Sequence, residues 1–159
     1  MNKLANPLEL CGFEFIEFVS KDGDLDEIFQ TIGFTQVAKH KSKNVYLWRQ
    51  GNIKTILNYQ PESDAAYFFK EHGPSACAMG FRTKDAAKAF NQAIQLGAEP
   101  IYSKIGPMEL NIPAIKGIGG SPIVLVDRDI YQSDFIFFND VPLNPVGTGL
   151  KEIDHLTHN

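Results

Sequence analysis

The stretch DAAKAFNQAIQLG at residues 85–97 has the pattern of a short amphipathic helix, and the fold prediction rests on the recurrence of this pattern along the chain. Asp85 can accept hydrogen bonds from the first free N–H groups of a helix, and Gly97 suits the left-handed conformation that ends one. Between them, apolar residues recur at the three- and four-residue spacing of one helical face. The stripe predicted to face the core consists of Ala86, Ala89, Phe90, Ala93, Ile94 and Leu96.

An earlier stretch, DLDEIFQTIG at residues 24–33, repeats this pattern. Asp24, with Glu27 three residues later, is similar to a capping box, and Gly33 closes the predicted helix. The apolar residues again fall on one face. They are Leu25, Ile28, Phe29 and Ile32.

The two predicted helices stand at a nearly constant offset. Lys21 and Lys84, just before the helices, lie 63 residues apart, and the closing residues Gly33 and Gly97 lie 64 apart. Each helix also follows an apolar run and precedes alternating, strand-like segments. The offset indicates two copies of one supersecondary unit.

Short strand-like segments complete each copy. Residues 45–50 and 53–59 flank a Gly-Asn pair, which favours the positive φ of a tight hairpin turn. In the second copy, residues 98–105 and 123–128 frame a Gly-rich segment. The order strand, helix, strand, strand, strand, twice over, predicts an α+β protein of two tandem βαβββ modules, each with its helix on one sheet face. The predicted modules occupy about residues 10–72 and 75–140.

A turn-rich connector at residues 142–149, PLNPVGTG, predicts a domain boundary. We therefore assign residues 1–141 to an amino-terminal domain, residues 142–149 to a linker and residues 150–159 to a separate strand. That strand would carry His155 as a metal ligand. Because side chains alternate along a strand, His158 would face the opposite way. On spacing alone, a solvated tail is the more common explanation of such a pair of histidines.

Composition excludes several classes of function. The chain of 159 residues has a formal net charge of −4, which argues against a nucleic-acid surface that would need clustered Lys and Arg. Its apolar runs are too short to cross a membrane. Cys11 and Cys77 both lie in apolar, strand-like runs, and we interpret them as buried, reduced thiols of a cytoplasmic protein.

Seven segments spread along the chain carry a collinear resemblance to a known family. They are CGFEFIEFVS (11–20), GFT (33–35), KNV (43–45), EHGPS (71–75), GPMEL (106–110), IPAIKGIGG (112–120) and IDHLTHN (153–159). Together they resemble the amino-terminal half of bacterial 4-hydroxyphenylpyruvate dioxygenases, which belong to the vicinal-oxygen-chelate superfamily. The resemblance covers essentially the whole chain.

The resemblance implies a fold and a function. The two modules would form a partly closed barrel. The full-length enzyme would convert 4-hydroxyphenylpyruvate and O2 to homogentisate with loss of CO2, in tyrosine catabolism, and form a homo-oligomer. Residues 150–159 would be the first strand of a truncated catalytic domain. His155 matches the first iron(II) ligand of the family, so the other two ligands would lie beyond residue 159. No catalytic or cofactor-binding residue is assigned within this chain, which is expected to be inactive alone.

The resemblance also draws attention to Glu14. When FEFIEF at residues 13–18 is laid over DHLTHN at residues 154–159, Glu14 takes the place of His155. The comparable position of the second module is Ala78, which cannot bind a metal. The domain is therefore expected to lack a metal of its own, and Glu14 is either a relic ligand or a structural carboxylate.

A second interpretation remains open from the sequence. The two modules could act alone as a small-molecule-binding protein of the same superfamily, since a concave sheet can hold a ligand without a metal. The reading frame downstream of Asn159 distinguishes the two interpretations, because the enzyme requires a further His and a Glu there.

Overall fold

A computed structural model describes residues 5–21, 23–103, 106 and 109–157. In the described part, the chain forms a nine-stranded mixed sheet with four short α-helices and one 3-10 turn at Ile118–Gly120. This architecture confirms the α+β class. In chain order the elements are β1 (Leu10–Val19), α1 (Asp26–Thr31), β2 (Thr35–His40), β3 (Val45–Gln50), β4 (Ile53–Asn58), α2 (Asp64–His72), β5 (Ser75–Thr83), α3 (Ala86–Gln95), β6 (Pro100–Ile101), β7 (Ala114–Lys116), β8 (Pro122–Val126), α4 (Tyr131–Asp134) and β9 (Phe135–Phe137).

The sheet is built around two central antiparallel strands, β1 and β5. On one side of this pair the strand order is β1-β4-β3-β2, and on the other side it is β5-β8-β7-β6. β1 runs parallel to β4, and β5 runs parallel to β8. β9 then pairs with β2 at the outer edge of the first half.

Alternating residues along the strands serve two separate cores. Leu47, Ile56 and Val126 pack with Phe15 and Tyr131 on one side of the sheet, which we name the inner face. Their neighbours point to the opposite face, where α1 covers Trp48 and Leu57 and α3 covers Leu125. The helices α1 and α3 thus lie on one face, while α4 and the segment around it fill the inner face.

The prediction for α3 is confirmed in detail. The Asp85 side chain caps the helix by accepting from Lys88 N at 2.9 Å, and Gly97 takes a φ of 97° after its end. The small residues Ala86, Ala89 and Ala93 form its buried stripe. Leu96 is exposed, contrary to the prediction, because it is already the C-cap residue.

The capping box predicted for α1 is wrong. The N-cap residue is Leu25, which makes no side-chain cap hydrogen bond, and Phe29 is the helix's buried residue. Ile28 and Ile32 are exposed because a helix of six residues presents little more than one side chain to the core. Gly33 still follows its end with a φ of 94°.

Three further expectations need correction. The sheet is not closed into a barrel, because β6 and β9 remain as its two edges within the described residues. The strand predicted at 98–105 is reduced to β6, with residues 104 and 105 outside the described part. Cys11 is exposed, whereas Cys77 is buried as predicted. None of the described helices is long and apolar enough to traverse a bilayer.

Candidate functional site

Glu14 lies at the centre of a half-buried charged cluster on the inner face. Its side chain is 8% exposed. Lys54 Nζ donates to Glu14 Oε1 at 2.7 Å, and the Tyr131 hydroxyl donates to the same oxygen at 3.1 Å. A guanidinium nitrogen of Arg82 lies 3.5 Å from Oε2. Both carboxylate oxygens therefore face cations of this chain.

Strand pairing explains why these side chains meet. β1 lies between β4 and β5, so Lys54 and Arg82 reach Glu14 from opposite sides. The pairing of β1 with β5 is irregular between Phe13 and Phe15, which places Glu14 outside simple alternation. Tyr131 enters from α4, across the inner face.

The cluster extends through the Tyr131 ring. Lys54 Nζ lies 5.3 Å from the ring centroid, and the Arg49 guanidinium carbon lies 5.4 Å from it. Arg49 also stacks on Phe137 at 5.5 Å. Burial, followed by the charge of Glu14, raises the pKa of Tyr131 well above its usual value. The phenol therefore stays protonated and acts as a donor to Glu14.

A cavity of about 250 Å³ adjoins this cluster. It opens between the β3–β4 turn and the segment that follows β9. Most of its lining is polar or charged, so it differs from the mainly apolar pockets that hold drug-like ligands. The lining residues are Gly51, Asn52, Lys54, Arg82, Asn144, Lys151 and Glu152.

The two carboxylate oxygens of Glu14 are engaged by other side chains of this chain. Lys54 and Tyr131 both donate to Oε1, and no group of three His, Cys, Asp or Glu residues within the described ranges could hold a metal ion. Ala78, at the comparable place on β5, is buried and offers no donor atom.

His155 stands apart from this cluster. Its side chain is 75% exposed, and its Nδ1 lies 2.6 Å from Asp154 Oδ2. A carboxylate that holds the Nδ1–H leaves the Nε2 lone pair free, which is the usual arrangement of a metal-bound histidine. His155 thus fits one ligand of an iron(II) site, whereas the described residues do not supply the others.

The segment around His155 forms no strand in the structure. Residues 150–157 have no regular secondary structure, so the strand predicted there stays a prediction, and His158 lies outside the described residues. Ile153 is half-buried and packs against the core cluster that contains Trp48.

Sequence reasoning missed the partners of Glu14. Lys54 gave the clearest signal, because a cation stands next to Ile53 near the start of β4, a largely apolar strand with the sequence IKTILN. Arg82 and Tyr131 carried no comparable signal. Their contacts depend on which strands pair, and local patterns do not specify this.

Comparison with known proteins places the chain in a family. The family model described as "Hydroxyphenylpyruvate dioxygenase, HPPD, N-terminal" matches residues 4–141. A 4-hydroxyphenylpyruvate dioxygenase of Pseudomonas sp. (strain P.J. 874) is 57% identical over 97% of this chain and 45% of its own length. Hemolysin VllY of Vibrio vulnificus (strain CMCP6) is 49% identical over 97% of this chain and 46% of its own.

A solved structure agrees with these matches. The xylose isomerase-like TIM barrel/4-hydroxyphenylpyruvate dioxygenase fusion protein aligns with a TM-score of 0.81 at 35% identity, covering 95% of this chain and 25% of that one. The chain spans a little under half the length of the curated relatives described above. It belongs to the hydroxyphenylpyruvate dioxygenase family, to whose amino-terminal domain it corresponds.

Proposed function

We propose that this chain is the amino-terminal part of a non-haem iron(II) dioxygenase. The full-length protein would convert 4-hydroxyphenylpyruvate and O2 to homogentisate and CO2. The observation that carries this proposal is the 57% identity to a protein of that name along 97% of the chain. When bound, iron(II) would supply the activation of O2. Such sites use two histidines and one carboxylate, and His155 would be the first histidine.

This chain alone would be inactive. His155 is exposed and has Asp154 as its neighbour, and two more ligands at about 2 Å would be required to complete the site. We place those ligands beyond residue 159. The role proposed for residues 10–141 is to carry and orient the start of the catalytic domain, as part of a homo-oligomer in the cytoplasm. The two free cysteines are compatible with a reducing compartment.

We also propose that the first domain consists of two copies of one βαβββ module. The equivalent strand orders β1-β4-β3-β2 and β5-β8-β7-β6 support this proposal. In each half a helix follows the first strand, and a glycine with positive φ follows the helix. Superposing the halves should bring Gly33 onto Gly97. A best superposition in another register would contradict the duplication.

A direct assay tests the dioxygenase proposal. The complete protein, supplied with iron(II), ascorbate and 4-hydroxyphenylpyruvate, should form homogentisate, and the 159-residue chain under the same conditions should form none. Product from the short chain would contradict the ligand assignment. An iron-loaded complete protein that forms no homogentisate would contradict the proposed reaction.

The charged cavity favours a second candidate function, the binding of a small anion. Lys54, Arg82 and Lys151 line it, and only Glu152 of the lining residues is acidic. Phosphate or succinate titrated into the chain should shift the NMR signals of these residues. Arg82→Gln should weaken binding about tenfold, the loss expected for one charge-assisted hydrogen bond. Lys116→Gln, remote from the cavity lining, is the control. Equal binding by the two variants would remove this candidate.

A further inference from the structure

We infer that Gln50 is a positioning residue that fastens the connector to the first domain and thereby sets where His155 leaves it. Gln50 is the last residue of β3, and its exposed fraction is 0%. Hydrogen bonds and close backbone contacts support the docking of the connector. Its consequence for iron binding rests on the proposed function.

The Gln50 amide joins three parts of the chain through both its nitrogen and its oxygen. Its Nε2 donates to Ile32 O, at the end of α1, at 3.0 Å. Its Oε1 accepts from Leu150 N at 3.0 Å. Thr148 Oγ1 lies 3.0 Å from the same Oε1 and 2.9 Å from Ile32 O, so its proton can be donated to either. One side chain therefore holds the connector against α1.

Two glycines allow the connector to approach this closely. Gly147 has a φ of 58°, and a Cβ there would overlap Gly33 O. Gly33 has a φ of 94°, and a Cβ there would lie 2.6 Å from Thr148 N. Any side chain at either position would push the two backbones apart. The contact thus requires glycine on both sides.

The flanking residues extend the attachment. Gly51 N donates to Pro145 O at 2.7 Å, and Arg49 donates to Leu143 O at 3.2 Å. Beyond Leu150, Ile153 packs against the core cluster of α1 and β3. A chain advances at most about 3.6 Å per residue, so His155 lies within about 7 Å of Ile153. The ligand position is therefore tied to the first domain.

Hydrogen bonding, rather than filling of space, accounts for a glutamine here. A buried amide without partners would be costly, and an apolar side chain would fill the same volume without that cost. At Gln50 the donor and the acceptor both have partners, and two of these belong to the connector. The connector consequently behaves as part of the fold and not as a free linker.

Distance measurements on the 159-residue chain test the docking without iron. Spin labels are placed on the native, exposed Cys11 and on the variant His155→Cys, while the buried Cys77 stays unlabelled. The background chain should give a narrow distance distribution. Adding Gln50→Ala or Gln50→Met should broaden it, and the Leu150 amide should exchange about tenfold faster.

The control is Gln60→Ala, which removes another glutamine that accepts from a backbone N–H, that of Asn44 at 2.8 Å. It should leave the distribution narrow. A broad distribution in the background chain would overturn the inference. A narrow distance distribution in both Gln50 variants would also overturn it. So would a narrow distribution in Gln50→Met alone, because an apolar side chain that fills the space would then be enough to hold the connector.

Iron analysis of the complete protein tests the consequence. Gln50→Met should purify with less iron than Gln60→Ala. Full iron in a Gln50→Met protein whose connector is loose would overturn the positioning role and leave the dioxygenase proposal intact. Wild-type protein that binds no iron would instead contradict the dioxygenase proposal, while the docking measured in the short chain would stand.

Discussion

The ammonium group of Lys54 lies 2.7 Å from the carboxylate of Glu14, the residue that takes the place of His155 when the first and last strand-like segments are aligned. An internal cation thus neutralises the carboxylate that matches the ligand position of His155. In the first domain an ion pair between the neighbouring strands β1 and β4 fills this place, whereas the proposed catalytic domain would use iron.

Lys54→Met should destabilise the protein. The Lys54 side chain is 20% exposed and that of Glu14 is 8% exposed, so the pair lies between the surface and buried cases. Its loss should lower the free energy of unfolding by about 2 kcal/mol, measured by urea denaturation. Lys116→Met, which removes the exposed pair with Glu99, should cost less than about 0.5 kcal/mol. Equal losses of unfolding free energy in Lys54→Met and Lys116→Met would show that burial of Glu14 does not strengthen its ion pair with Lys54.

Glu109 should make stability dependent on acid pH. Burial opposes its ionisation, but hydrogen bonds from Lys43, the Gly106 N–H and the Ser42 hydroxyl outweigh burial and lower its pKa from 4.5 to about 2. A depressed pKa stabilises the fold above pH 4.5, and this stabilisation is lost as pH falls from 4.5 towards 2. Because Lys43 is 38% exposed, water screens the pair, and we expect about 1–2 kcal/mol.

Glu109→Gln isolates this effect. The wild-type protein should be more stable than the variant at neutral pH, and the difference should shrink as the solution is acidified. Unfolding by urea at a series of pH values measures it. A stability difference that stays constant down to pH 3 would contradict the lowered pKa of Glu109. As the control, Glu99→Gln should have nearly the stability of the wild-type protein at every pH.

His155→Ala and His158→Ala should differ in iron content in the complete protein. Removal of one of three protein ligands leaves a poorly held metal, so His155→Ala should lose iron and turnover together. His158→Ala should retain bound iron even if it lowers stability. Metal analysis of the purified variants measures their iron content. Iron retained by His155→Ala and lost by His158→Ala would make His158, and not His155, the ligand.

Gly147→Ala should release the connector, whereas Gly149→Ala should not. Both positions have positive φ, which costs alanine about 1 kcal/mol, but only Gly147 faces a backbone atom that a Cβ would overlap. The Gly51 amide, which donates to Pro145 O, should therefore exchange faster in Gly147→Ala alone. Equal exchange rates of the Gly51 amide in the two variants would show that the contact between Gly147 and Gly33 can adjust to an added Cβ.

The two thiols should react at very different rates. Cys11 is exposed, whereas burial raises the pKa of Cys77 and keeps it as an unreactive thiol. Ellman's reagent on the folded protein should therefore titrate one thiol quickly, and Cys11→Ser should abolish that fast phase. A fast phase that survives this substitution would show that Cys77 is accessible.

Local patterns predicted α3 and the β3–β4 hairpin well. Asp85 and Gly97 act on their own helix, and the Gly51-Asn52 turn joins strands that are neighbours in sequence, so nearby residues suffice. The apolar residues of α1 were less informative, because Ile28 and Ile32 follow the helical spacing without reaching the core. Periodicity specifies a face but not the depth to which it is buried.

The site depended on contacts that no local pattern encodes. Glu14 could be selected by analogy with His155, but its pairing with Lys54 and Arg82 follows from the order β5-β1-β4. Gln50 is a polar residue at the end of a strand, a position that usually suggests exposure. Only the fold of the connector over it explains why it is buried.

The return of β9 to the edge of β2 has a consequence for folding. Phe137 pairs with Ala38, so the last strand completes a ladder begun in the first third of the chain. Such long loops close slowly, which favours a folding time of milliseconds to seconds. The first half also keeps an open strand edge until residues 135–137 have been synthesised, and a growing chain is exposed to edge-to-edge association during that interval.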